Sequence, residues 1–289
     1  MNILIPEITE CFGSMDSAIV SIIRYCNVVI EKAKKVCPNA SVNDVPGYAL
    51  EFCRKMLVQA TTLVKIASER EDYNTVCSLV RIIADNVVIL KLIYGADDKE
   101  EKILRHLLYV MGGVATRYEY LKDKPKPYDG KISKEAYETL STRVREIKDN
   151  AIGCIDFCIN AIKARPDYSV KQQCYDKLIR YHNWKFKSID KPKDSYSWND
   201  MYNLLDINDN GYIFSFFSQY VHGLSISNLD LNDGDNFEAP LVFAFSLLVI
   251  IYNYLRKEYE PYLGKYTWED ILKMRPDLLA KTKTPNSMK

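Results

Sequence analysis

Apolar residues recur every three to four positions through most of the chain. That is the period of an α-helix, not of a strand. In residues 14–35, Ala18, Ile22, Cys26 and Ile30 form one row at i+4 steps, and Ser14 can cap the first turn. Residues 48–68 repeat the pattern with Phe52, Met56, Ala60 and Val64. Residues 75–94 carry a polar stripe of Ser78, Arg81 and Asp85 in the first half and are apolar on nearly every side from Val87 to Ile93, so this helix is expected at the centre of a core. Further helices are expected over 99–121, 133–164, 169–184, 198–205 and 238–262. Short β-branched runs such as Val87-Val88-Ile89 lie inside longer helical windows, where length favours helix.

The stretch from Asp209 to Ser227 is aromatic and apolar on most sides. Ser215, Ser218, Gln219 and His222 fall at spacings of three and four and so form one polar stripe on a helix. Gly223 suits the position past the last turn, which often needs positive φ, and this leaves His222 beside the free carbonyls of a helix C-terminus.

Breakers divide these segments. Pro38, Pro46 and Gly47 interrupt 36–47, and residues 122–131 (Lys-Asp-Lys-Pro-Lys-Pro-Tyr-Asp-Gly-Lys) are the clearest linker. Pro192 lies in a wet loop over 185–196; polar turns follow at 206–211 and 228–236. The fold expected is all-α, a multi-helix bundle of about eight to ten helices. One domain spans 1–289, with the 122–131 linker as the place for any subdivision.

Composition changes this picture little. With 289 residues and 47% apolar residues the chain can bury a substantial core. A formal net charge of +1 gives no global push toward nucleic acid or membrane. The N-terminus lacks a basic segment followed by an apolar core, so a cytoplasmic location is expected. The apolar run 241–255 falls short of the roughly 20 residues that span a bilayer, and no membrane partner is expected. Of eight cysteines, Cys26, Cys53, Cys77, Cys154 and Cys158 sit in apolar helical patterns and read as buried, reduced thiols. Cys154 and Cys158 share a helix face, but no second ligand pair has the spacing of a metal site. No metal and no cofactor is expected.

Candidate chemistry is sparse. There is no phosphate-binding glycine loop, no His-Glu-x-x-His and no nucleophile elbow. The three histidines are His106, His182 and His222. His106, next to Arg105, reads as a satisfied or exposed histidine. Arg81 and Asp85, four apart, either pair with each other or face a polar pocket. Gly112-Gly113 within a helix costs about 1 kcal/mol per glycine relative to alanine, for which close helix approach would compensate.

The segment Ser218-Gln-Tyr-Val-His222-Gly, with Tyr212 and Ser215 before it, resembles the late helix end of HEPN-superfamily proteins of the DUF5677-like type. In that branch an earlier apolar helix carries an arginine and an acidic residue four apart, here Arg81 and Asp85. The resemblance covers residues 75–95 and 195–255. It implies a helical bundle and, in some members, metal-independent RNA cleavage. There the arginine supplies a cation for the phosphate oxyanion, and the histidine, of pKa near 6.5, moves a 2′-OH proton. This chain lacks the family's nuclease spacing, because none of its histidines has an arginine five to seven positions before it on one helix.

Three functions follow as expectations. The first is a HEPN-like binding or regulatory module of a bacterial stress or phage-defence system, acting on RNA or a protein partner, with Asp85, Ser218, Gln219 and Tyr212 lining a polar pocket. The second is a divergent ribonuclease with Arg81 and His222 as its catalytic pair. The third is a structural or self-associating protein, such as a homodimer, for which 21 tyrosines would suit the interface. His222 has three matching readings: a buried, hydrogen-bonded histidine, a pocket residue or a catalytic base.

Overall fold

A computed structural model describes residues 12–37, 41–70, 72–207, 210–222 and 237–263. Among the described residues the chain is all-α, with nine helices and no strand: α1 (Met15–Ala33), α2 (Val45–Glu69), α3 (Tyr73–Ile93), α4 (Lys99–Leu121), α5 (Lys134–Lys163), α6 (Gln172–Tyr181), α7 (Trp198–Asn203), α8 (Asn210–Val221) and α9 (Glu238–Leu263). A lone antiparallel bridge joins Phe186 to Ser195.

The helices begin where short polar side chains can take up the free amides of a first turn. Ser14, Asp44, Asp98 and Ser133 each accept a backbone N–H within the first turn they precede. Helix α2 starts at Val45, before Pro46, rather than at 48, because proline needs no amide partner in a first turn. Helix α6 is shorter at both ends than the expected 169–184. Residues up to Lys171 form turns, and His182 ends the helix in the left-handed region at φ 47°.

The chain forms two compact units, Met1–Leu90 with Tyr202–Lys289, and Lys91–Met201. The 122–131 linker lies inside the second unit, between α4 and α5. There the Lys148 ammonium donates to the carbonyls of Lys122 and Lys124 at 2.6 and 2.8 Å.

In the first unit α9 packs along α1, and α1 and α9 both pack on α2. Tyr25 and Tyr252 meet at 4.9 Å between α1 and α9, and the Tyr259 hydroxyl donates to the Pro46 carbonyl at 2.7 Å. Residues Val87 to Leu90 of α3, the part in this unit, are all buried, as a helix apolar on every side requires. Over the 22 residues Glu238–Tyr259, α9 is long and apolar enough by length and composition to cross a membrane. Leu241, Ala244, Leu247, Leu248, Ile251 and Leu255 are nevertheless covered, which is the face of a core helix. Cys26, Cys53 and Cys77 are buried in this unit.

In the second unit α4 packs on α5, and α5 touches α6. Leu104, Leu107, Leu108 and Met111 of α4 and Cys158 and Ile162 of α5 are buried. Tyr175 and Leu178 of α6 are buried as well. Gly112 answers the glycine pair in α4, because a Cβ there would lie 3.1 Å from the Cβ of His182. Gly113 has open space where its Cβ would be.

Candidate functional site

In the first unit, α3 sets Arg81 and Asp85 one turn apart, and the Arg81 guanidinium donates to Asp85 Oδ1. The Tyr202 hydroxyl donates to that same oxygen, and the Arg81 guanidinium carbon stands 4.9 Å from the centre of the Tyr202 ring. Burial, then the bond to Asp85, pushes the Tyr202 phenol far above its ordinary value, so it stays a protonated donor. Arg81 Nε is buried without a hydrogen-bond partner among the described residues. The cation of the expected site is thus neutralised by its own helix neighbour and capped by a tyrosine that sequence spacing did not single out.

Helix α8 carries the other candidates. Phe217 is buried against Phe243, and Tyr220 packs edge to face on Phe216 and on Tyr73 at the start of α3. The opposite stripe is the polar one: Ser218 and Gln219 are half-buried, and Ser215 and His222 are exposed. Of the three readings of His222, burial in the bundle is therefore set aside. Its amide donates to the Ser218 carbonyl at 3.2 Å, closing the last turn. The Tyr212 side chain and Gly223 lie outside the described residues.

Tyr220, two residues before His222, touches Tyr73, and Arg81 lies eight residues beyond Tyr73. Eight residues of helix are about 12 Å of axis. Among the described residues no hydrogen bond, ion pair or ring contact joins Arg81 to His222.

The second unit holds a cleft that the sequence patterns did not reveal. After His182 the chain runs out and back through residues 183–196. Lys187 donates from its amide to the Asp194 carbonyl at 3.0 Å, and Tyr196 to the Lys185 carbonyl at 2.8 Å. The Asn183 side chain crosses the loop, its amide donating to the Pro192 carbonyl at 2.8 Å and its oxygen accepting from Ser195 Oγ at 2.9 Å.

Arg105 fastens this loop to α4. It is 3% exposed, pairs with Glu101 at 2.7 Å, donates to the Trp184 carbonyl at 3.0 Å and lies 4.2 Å from the Phe186 ring centre. Beside it His106 is fully buried and shares a 2.9 Å hydrogen bond with Tyr94, so it is a satisfied core histidine. The loop and the end of α6 enclose an open cavity of about 560 Å³, lined by Tyr181, His182, Trp184, Lys185, Lys193 and Ser195 among others. Burial holds the His182 imidazole below its ordinary value. The only sequence signal of this arrangement was Glu101 and Arg105 at i, i+4 ahead of a loop rich in aromatic residues.

Among the described residues no group of three or more His, Cys, Asp or Glu side chains is placed to hold a metal ion. Comparison with protein-family models, curated proteins and solved structures finds no match to this chain.

Proposed function

We propose that this protein is a HEPN-like helical binding module that acts through RNA in a bacterial stress or phage-defence setting. One observation carries the choice of binding over cleavage. The Arg81 guanidinium is already engaged by Asp85 and Tyr202, so it has little charge to offer a developing phosphate oxyanion. The α8 stripe, with Ser215 and His222 exposed and Ser218 and Gln219 half-buried, gives hydroxyl, amide and imidazole groups suited to sugar, phosphate and base edges. A labelled single-stranded RNA, followed by anisotropy, tests the reading. Binding should weaken in His222→Ala and in Gln219→Ala. Equal binding by wild type and both variants overturns it, and capture of a protein in place of RNA turns it into a protein-partner module.

A metal-independent ribonuclease is the second reading, favoured by the exposure of the His222 imidazole at the end of α8. Incubation of RNA in EDTA separates the two. Cleavage that His222→Ala abolishes supports the nuclease, and intact RNA supports the binding module.

A further inference from the structure

We infer that the cleft at the end of α6 is a binding site for a nucleotide unit, a planar base joined to a phosphate. The inference uses none of the α3 or α8 residues and does not rest on the reading proposed for them.

Around the loop, Asp190 is paired with Lys171 at 2.9 Å, and Lys187 takes both Asp194 and Asp200, at 3.9 and 3.5 Å. Each of these carboxylates is therefore engaged by a cation outside the cleft lining. Lys185 and Lys193 line the cleft, and among the described residues neither has a carboxylate within ion-pair distance. The Lys185 ammonium instead sits 5.9 and 5.5 Å from the ring centres of Trp184 and Trp198. Two uncompensated ammonium groups at one cavity, in a chain of net charge +1, mark a place for an anion.

Tyr181 is 53% exposed at the cleft and has no ring partner among the described residues. An open aromatic face next to lysines is how proteins seat a base beside its phosphate. The cavity of about 560 Å³ falls in the range of roughly 300–1,000 Å³ that small-molecule sites occupy.

The loop around the cleft is held by fixed contacts. His182 takes the left-handed conformation of a helix C-cap, closed by its own amide on the Ile179 carbonyl at 3.1 Å and the Asn183 amide on the Leu178 carbonyl at 3.0 Å, and its side chain packs against Gly112 of α4. Asn183, Ser195 and the buried Arg105 hold the loop on either side.

The test uses the full chain with three probes: adenosine monophosphate, a short labelled oligoadenylate and inorganic phosphate. Lys193→Glu and Tyr181→Ala both alter exposed side chains, and thermal melts of each should match wild type. Lys193→Glu should weaken the base-containing probes about tenfold or more. Tyr181→Ala should weaken them about fivefold or more. For the oligomer, loss of one phosphate contact should flatten the dependence of log K on log salt by about 0.7. Binding of the monophosphate alone identifies a free nucleotide as the ligand, and binding of the oligomer alone identifies a strand. Phosphate bound as tightly as either overturns the base part of the inference, and binding of none overturns it whole. If oligomer binding survives both variants but is lost in His222→Ala, the α8 reading stands and the cleft is not the site.

Discussion

Two neighbouring glycines in α4 have opposite reasons for being there. Gly113 faces open space, so Gly113→Ala should stabilise the protein by up to about 1 kcal/mol through helix propensity. Gly112 faces His182, and its Cβ would press on the His182 Cβ at 3.1 Å. Gly112→Ala should therefore gain less than Gly113→Ala or destabilise, and paired chemical melts read the difference. His182 itself makes stability depend on pH. Its folded-state pKa lies below the unfolded value of 6.5, so the unfolded chain binds the proton more tightly. Its contribution is present in full above about 6.5 and is lost as pH falls from there through the folded-state value. His182→Asn tolerates positive φ and should remove that acid dependence while keeping the turn. His182→Val should cost about 1–2 kcal/mol, since a branched side chain resists the left-handed region. Urea melts across the acid range check both.

At the scale of elements, Arg105 decides whether the 183–196 loop has a fixed shape. Removing it forfeits a hydrogen bond to the Trp184 carbonyl and a cation–ring contact with Phe186, and leaves a gap under the loop. Arg105→Leu should cost about 2–5 kcal/mol, from a charged hydrogen bond worth roughly 1.5–3 and a buried cation–ring contact worth roughly 0.5–2. Amide exchange should rise first in 183–196, and an unchanged exchange rate there would show that the loop holds without its anchor. The elements themselves were largely legible beforehand. Helix periods, caps and breakers gave α1 to α5, α7 and α9 to within a few residues, because each is dictated by local spacing and by polar side chains at first turns. The C-terminal end of α6 differs from the expected one because the left-handed cap falls on a histidine, with no glycine or asparagine to announce it, and is closed by the amides of His182 and Asn183 on the Ile179 and Leu178 carbonyls.

For the whole molecule, the division into two units falls inside α3, after Leu90, and inside α7, after Met201, not at the proline-rich linker. The linker is wet and broken, but its carbonyls are held by Lys148 of α5, so it closes a helical hairpin within one unit. Lys91–Met201 is continuous in sequence and has its own buried set, including Leu104, Leu108, Met111, Cys158, Ile162 and Tyr175. Expressed alone, residues 91–201 should give a helical spectrum and a cooperative melt, as an autonomous domain does. A sloping, non-cooperative melt would mean that its core is incomplete without the first unit.

The candidate site divides along the same line as the fold. Sequence by itself determined the all-α class, the placement of Arg81 and Asp85 one turn apart on one helix face and the polar stripe of α8, since each depends on residues within one or two turns of one another. Only the tertiary structure brought Tyr202 to Asp85 across 117 positions of chain, and Arg105 to the Trp184 carbonyl across 79. Helical period fixes which side of a rod a residue occupies. It carries no information about which distant segment closes on that side, and the partners of a charge are set by that closure.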